Sequence, residues 1–416
     1  MLNFWLVGFS YLNIGCNKNI PTTMYQPTHP GPSTHTSEAY KIKEIHSPNQ
    51  QEYDFFVVLL HGSMGDSSCF NHHIEYIKSK FNKVLILASD NRALEKSITI
   101  SIEGQLIIIF YAIKACLAQH SKDPKTFRLI LVGHSQGGNL AVALAHKHRH
   151  DLNICGIYTL NAALKGTIEW DTIINATEQL QIEYEKLINY IGYPINIPME
   201  PIPTRPTPEN TTQESLFSSI LEIISKQYNL SEPITPRSSD IINLAIILKI
   251  GNDFQLIPGI SDLKPDSNHI KQVTSFLREE THDIPCRLVG SYVNNFGEMR
   301  NKNLIVSIAS KLYPFQKAYA KIITKKEQGK HDGWLPLSTQ LCRGESFEDL
   351  AIIGDSIQEN NVFGKPHITA AIYKDMLHEH NIALIERSVD PKRSVLDSDT
   401  IADDLRDFIG KCLKTS

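Results

Sequence analysis

The sequence predicts an α/β protein, a mostly parallel sheet with helices on both faces. Three observations carry that expectation. Short apolar runs rich in β-branched residues recur along the chain, at FFVVLL from Phe55, VLILAS from Val84, LILV from Leu129, ICGIYTL from Ile154 and CRLVGSY from Cys286. Between several of them lie longer stretches with apolar residues at helical spacing, and strands that alternate with helices pair in parallel. The third observation is a strand, a sharp turn and a helix compressed into LILVGHSQGGNLAVALA, residues 129–145.

Composition sets the bounds. A chain of 416 residues accommodates one large α/β domain with an insertion, or two domains. A formal net charge of −4, with no basic run longer than Lys325-Lys326, excludes a nucleic-acid partner. Seven cysteines, an odd number without Cys-x-x-Cys spacing, argue against a disulfide framework or a zinc site and for a reducing compartment. No apolar run approaches the length of a membrane-spanning helix. The first sixteen residues, MLNFWLVGFSYLNIGC, read in two ways. Their apolar character and Gly-Cys end suit a short export signal; the missing basic start and Asn13, where leucine is preferred, suit an edge strand or a disordered start.

The elements follow in chain order. Residues 1–50 form a flexible lead-in, since the Pro, Thr, Ser, Asn and His of 17–50 bury little. The core starts near Tyr53, where an apolar strand ends in His61-Gly62. A helix around Ile74 to Phe81, a strand at 84–89 and a helix at about 101–120 precede the elbow; a strand at 154–164 follows it. Residues 167–282 change pattern, with helical stretches divided by YPINIPMEPIPTRPTP, and read as an inserted, mainly helical cap. The core is therefore 51–166 and 283–416, closed by an amphipathic helix from about Ser398 to Leu413. HKHRH at 146–150 could hold a metal, but a solvated helix end is the simpler reading, so no metal or cofactor is expected.

At the elbow, the turn after Leu129–Val132 must carry Ser135 in a strained conformation, and Gly133 and Gly137 let the helix pass close to the strand. The alternative is a glycine-rich turn whose serine merely caps the helix. His134 to Gly138, His-Ser-Gln-Gly-Gly, resembles the nucleophile elbow of the α/β-hydrolase fold in its lipase-like branch. The resemblance implies that Ser135 is the nucleophile and that the backbone amides of Ser63 and Gln136 form the oxyanion hole. GISDLKPDSNHIKQV (259–273) is similar to an Asp-Leu-x-Pro-x-Ser stretch found before the seventh strand of such hydrolases, here 284–292.

Such a serine needs a base and an acid, which on this fold follow in the order Ser, acid, His. HDGWLPLST (331–339) looks like the Asp-Gly-x-x-Pro-x-Ser stretch that carries the acid in lipase and acyltransferase families, which implies Asp332; Asp253 and Asp355 are weaker candidates. The base is expected on a loop after the last strand. With that strand at 349–354, His367 in GKPHITAAIYKDML is the candidate, ahead of a helical segment, while His378 and His380 suit a solvated surface.

The expectation is a serine hydrolase of acyl esters, a lipase or phospholipase, needing no cofactor and touching a membrane surface transiently through its cap. Acyl transfer or thioester cleavage would use the same residues, and a catalytically silent binding protein is the reading of a different class. Location is expected to be cytoplasmic, or another cell reached by a specialised secretion system, with export through the N-terminal segment as the alternative.

Overall fold

The computed structural model describes residues 52–63, 65–88, 96–167, 258–293, 320, 323–326, 329–344, 355–378 and 391–414, and the backbone of 44–46. Most of the expected cap (168–257), with Asp253, lies outside the described residues, as do His380 and the strand expected at 349–354.

The strands are β1 (Glu44–His46), β2 (Phe55–Leu60), β3 (Val84–Ala88), β4 (Leu129–His134), β5 (Ile154–Leu160), β6 (Cys286–Tyr292), β7 (Ser356–Glu359) and β8 (Ile368–Lys374). They form one sheet in the order β1-β3-β2-β4-β5-β6-β8-β7. The six central strands run parallel, and β1 and β7 close the edges antiparallel. The helices are α1 (Asn71–Lys80), α2 (Lys96–Thr99), α3 (Ile102–Gln119), α4 (Gln136–His148), α5 (Pro258–Ser261), α6 (Asn268–Arg278), α7 (Leu337–Gln340) and α8 (Asp399–Cys412).

Every residue of β2, β3 and β4 is buried, which is why these segments read as unbroken apolar runs. Side chains alternate between two apolar layers. Phe56, Val58 and Leu60 join Leu106 and Ile109 of α3, Leu140 and Leu144 of α4 and Val273 and Phe276 of α6; Phe55, Val57 and Leu59 join Ile74 and Ile77 of α1 and Leu405 and Ile409 of α8. Serine side chains begin three of these helices: Ser101, Ser267 and Ser398 accept from the N–H of Gly104, Ile270 and Ile401.

Several expectations are corrected. The lead-in is not wholly structureless, since residues 44–46 pair with β3. Residues 268–278, expected within the inserted segment, pack on the sheet instead: α6 buries Ile270, Val273, Phe276 and Leu277 in its core. Helix α3 does reach the length and apolarity of a membrane span; its buried stripe, Leu106, Ile109, Ile113 and Leu117, accounts for that composition. The segment after His367 is a strand, β8, and its neighbour β7 falls in a stretch expected to be loop. Ile-Thr-Ala-Ala-Ile-Tyr presents Ile368, Ala370 and Ile372 to one layer and Ala371 and Tyr373 to the other, a period of two.

Candidate active site

Parallel strands place all their carboxyl ends on one edge, the edge at which open α/β sheets bind their ligands. Ser135 follows β4 directly, with φ 55° and ψ −123°, between a buried strand and a buried helix start. An L residue held there is strained, and such strain persists only where its surroundings impose it. They do so here by close approach. A Cβ on Gly133 would lie 2.2 Å from the Gly137 oxygen, and one on Gly137 would lie 1.9 Å from the Leu60 oxygen. Although Ser135 occupies the N-cap position of α4, its side chain makes no capping hydrogen bond, so its hydroxyl is not spent on the helix. The reading of a merely capping serine is thereby removed.

The loop after β2 lies against this serine. A Cβ on Gly62 would approach Ser135 Cβ to 2.9 Å and Ser135 Oγ to 3.4 Å, so only glycine lets the backbone come so near. Ser63 comes next in the chain. On the other side Gln136 is the first residue of α4, where a backbone N–H has no partner within the helix. Its side chain is occupied elsewhere, donating to the Ser97 carbonyl at 2.8 Å. The two segments expected to supply oxyanion donors therefore flank one serine.

Asp332 stands in a tight turn beyond β6, tied to it by the Val293 N–H on the His331 carbonyl (2.9 Å). Its Oδ1 accepts from the N–H groups of Trp334 (2.9 Å) and Leu335 (2.7 Å), and Gly333 turns the chain at φ 103°. Gln340 of α7 fastens the turn to β6: its Oε1 accepts from Ser291 N–H at 2.7 Å and its Nε2 donates to the Leu335 carbonyl at 2.9 Å. The other carboxylate oxygen, Oδ2, accepts from His378 Nδ1 at 2.6 Å. Both partners are buried, Asp332 entirely. The neighbouring His331 is driven down to about 4, first by burial, with Asp332 opposing the shift.

His378 lies on the loop that leaves β8. Its N–H donates to the Asp332 carbonyl (2.9 Å), and the residues before it are pinned by Leu377 N–H on the Arg393 carbonyl (2.7 Å) and Met376 N–H on the Tyr292 carbonyl (3.3 Å). Its ring lies 4.6 Å from the ring of His134, the residue adjoining Ser135. Imidazole and carboxylate thus meet from two loops, and the imidazole lies against the residue that precedes Ser135.

His367 is not part of this group. It precedes β8, and its carbonyl accepts from the N–H of Cys286, the first residue of β6, so it lies at the amino edge of the sheet. Its ring meets His282, with centroids 4.9 Å apart. The difference arises because the segment after His367 is the strand β8 rather than a helix, so the loop that follows the sheet's last parallel strand lies beyond Lys374. Once ITAAIYK is a strand, the histidine beyond its carboxyl end is His378, and the alternation of that segment was the signal available for it. Asp355 lies just before β7, and its carbonyl accepts from Lys374 N–H. Within HKHRH, His146 is 3.0 Å from Glu280 and His148 is 3.3 Å from Asp151.

No family model and no curated protein matches the chain. Among solved structures it is similar to a thermostable carboxyl esterase from Bacillus coagulans in complex with glycerol (13% identity, 88% of this chain and 93% of that one, TM-score 0.38). It is also similar to MenH from S. aureus (13%, 88% and 97%, TM-score 0.36). A third is Paleococcus ferrophilus monoacylglycerol lipase (12%, 88% and 96%, TM-score 0.36). By the order and direction of its own strands and the strained turn at Ser135, the chain has the α/β-hydrolase fold.

Proposed function

We propose that the chain is a serine hydrolase of acyl esters in which Ser135, His378 and Asp332 act together. The buried Asp332–His378 hydrogen bond beside a strained, uncapped Ser135 carries this reading. A carboxylate oxygen can only accept, so His378 Nδ1 holds a proton and Nε2 is the basic nitrogen. Nε2 takes the Ser135 Oγ proton as Oγ attacks the ester carbonyl, then delivers it to the leaving alcohol. Asp332 keeps the ring in that tautomer and stabilises the imidazolium that forms. The amides of Ser63 and Gln136 receive the oxyanion, each donor being worth roughly 3 kcal/mol in such sites. Water, activated by the same imidazole, then releases the acyl group from Ser135. A lipid substrate, with transient contact at a membrane surface, is part of the proposal and rests on the resemblance to lipase-like hydrolases and on the size of the segment expected as a cap.

The test is labelling with a fluorophosphonate probe, read by mass spectrometry, alongside Ser135→Ala. Modification at Ser135 that is lost in the variant, together with turnover of p-nitrophenyl esters, is the expected result. Folded protein that is neither labelled nor active on short- or long-chain esters overturns the reading. Comparing phospholipid vesicles with monoacylglycerol then separates the lipid classes.

A further inference from the structure

The histidine before Ser135 has a task that the reaction scheme leaves unassigned. His134 ends β4 and is buried. Its Nε2 lies 3.0 Å from the main-chain carbonyl of His378, and because a carbonyl only accepts, Nε2 is the donor. Residue 378 is thereby gripped at three points: N–H on the Asp332 carbonyl, Nδ1 on the Asp332 carboxylate, and C=O on the His134 ring. The first two belong to the acid turn. The third connects the histidine loop to the strand that carries the serine.

We propose that His134 is a positioning residue that fixes the distance between the two reacting groups, holding the His378 loop over Ser135 through its Nε2–H. This inference rests on the function proposed above. Strand β4 is a central strand of the sheet, whereas His378 lies on a loop. A donor rooted in β4 transfers the rigidity of the sheet to that loop, and sub-ångström placement of a base is worth large factors in rate. The titratable groups facing His134 are His378, His73 from α1 and His61 from the loop after β2. Burial first, then these three rings, holds His134 well below the ordinary histidine range, and the hydrogen bond to the His378 carbonyl opposes that shift. His134 is therefore neutral when His378 becomes cationic, and it sets no like charge of its own against the imidazolium.

Three variants separate positioning from mere packing. Glutamine carries an amide N–H about where Nε2 stands, asparagine carries one that falls short, and leucine fills the space without a donor. Initial rates are normalised to serine titrated by the fluorophosphonate, so unfolded protein does not count. His134→Leu and His134→Asn are expected to lose on the order of 10- to 100-fold in kcat with KM within about threefold. Their acidic limb in kcat/KM against pH should move to lower pH, because a slackened Asp332 contact favours the protonated base less. His134→Gln should recover most of the rate and the wild-type limb. If leucine does not fold, asparagine against glutamine decides. Equal rates per titrated serine and an unmoved limb in Asn and Gln variants would overturn the inference, and so would a Gln variant as slow as Asn. Wild-type protein unlabelled at Ser135 would instead sink the underlying function, and the inference with it.

Discussion

Two histidines eleven positions apart, one at each edge of the sheet, give opposite predictions. His378→Ala removes the general base, and kcat/KM on an activated ester is expected to fall by about 10⁴-fold, while His367→Ala stays within about threefold of wild type. Steady-state kinetics on the two proteins decide between them, and the reverse order would restore the loop before β8 as the site. Asp332→Asn keeps the volume and lets the amide hold the wrong tautomer of His378, so a loss of 10²- to 10⁴-fold in kcat is expected with little change in KM. At this scale the strained elbow serine was legible because its requirements are local: a strand, two glycines and a helix within seventeen residues. Asp332 was legible through a short turn whose own amides hold the carboxylate. His378 was not, because its partner Asp332 is 46 residues away in sequence.

At the scale of elements, the crossing of α4 over the end of β2 has no slack. Gly137→Ala would drive a methyl group into the Leu60 carbonyl, and separating strand from helix would expose a buried layer. The expected cost is at least about 3 kcal/mol, read as a lower urea midpoint, together with loss of fluorophosphonate labelling. A midpoint equal to wild type would mean that the crossing is looser than described. Strands β2 to β6 and helices α3, α4 and α8 were readable because each is covered by neighbours in a way that its own apolar pattern records. Edge elements left weaker traces. β1 has three residues, and β7 alternates exposed with half-buried side chains, so neither carries an apolar run. β8 does carry a period-two alternation, and it is this alternation that places His378, not His367, beyond the strand's carboxyl end.

For the whole molecule, buried neutral histidines make acid the weak side. Burial pushes His73 and His331 down to about 4, with the charge of His72 adding to the shift at His73. Between roughly pH 6.5 and pH 4 the unfolded chain binds protons on these rings that the folded chain refuses. Their contribution therefore makes stability rise with pH across that window, and it is lost as pH falls, by several kcal/mol in all. Urea midpoints from pH 7 to pH 4 should fall, and His73→Leu should flatten the slope by about one proton. An unchanged slope in a folded His73→Leu protein would show that this ring is not held neutral.

What the sequence determined alone is what near neighbours in the chain decide: an alternating α/β order, a glycine-lined elbow that can hold only a strained serine, and a turn that presents a carboxylate. Which histidine answers that carboxylate is a matter of which edge of the sheet each loop leaves from. That depends on where β8 pairs, and on the packing of α6 into the same core, contacts between segments far apart in sequence. A histidine before a parallel strand and one after it look alike in a string of letters. Pairing of that strand with β6 puts the whole length of the strand between them, and only the second meets Asp332.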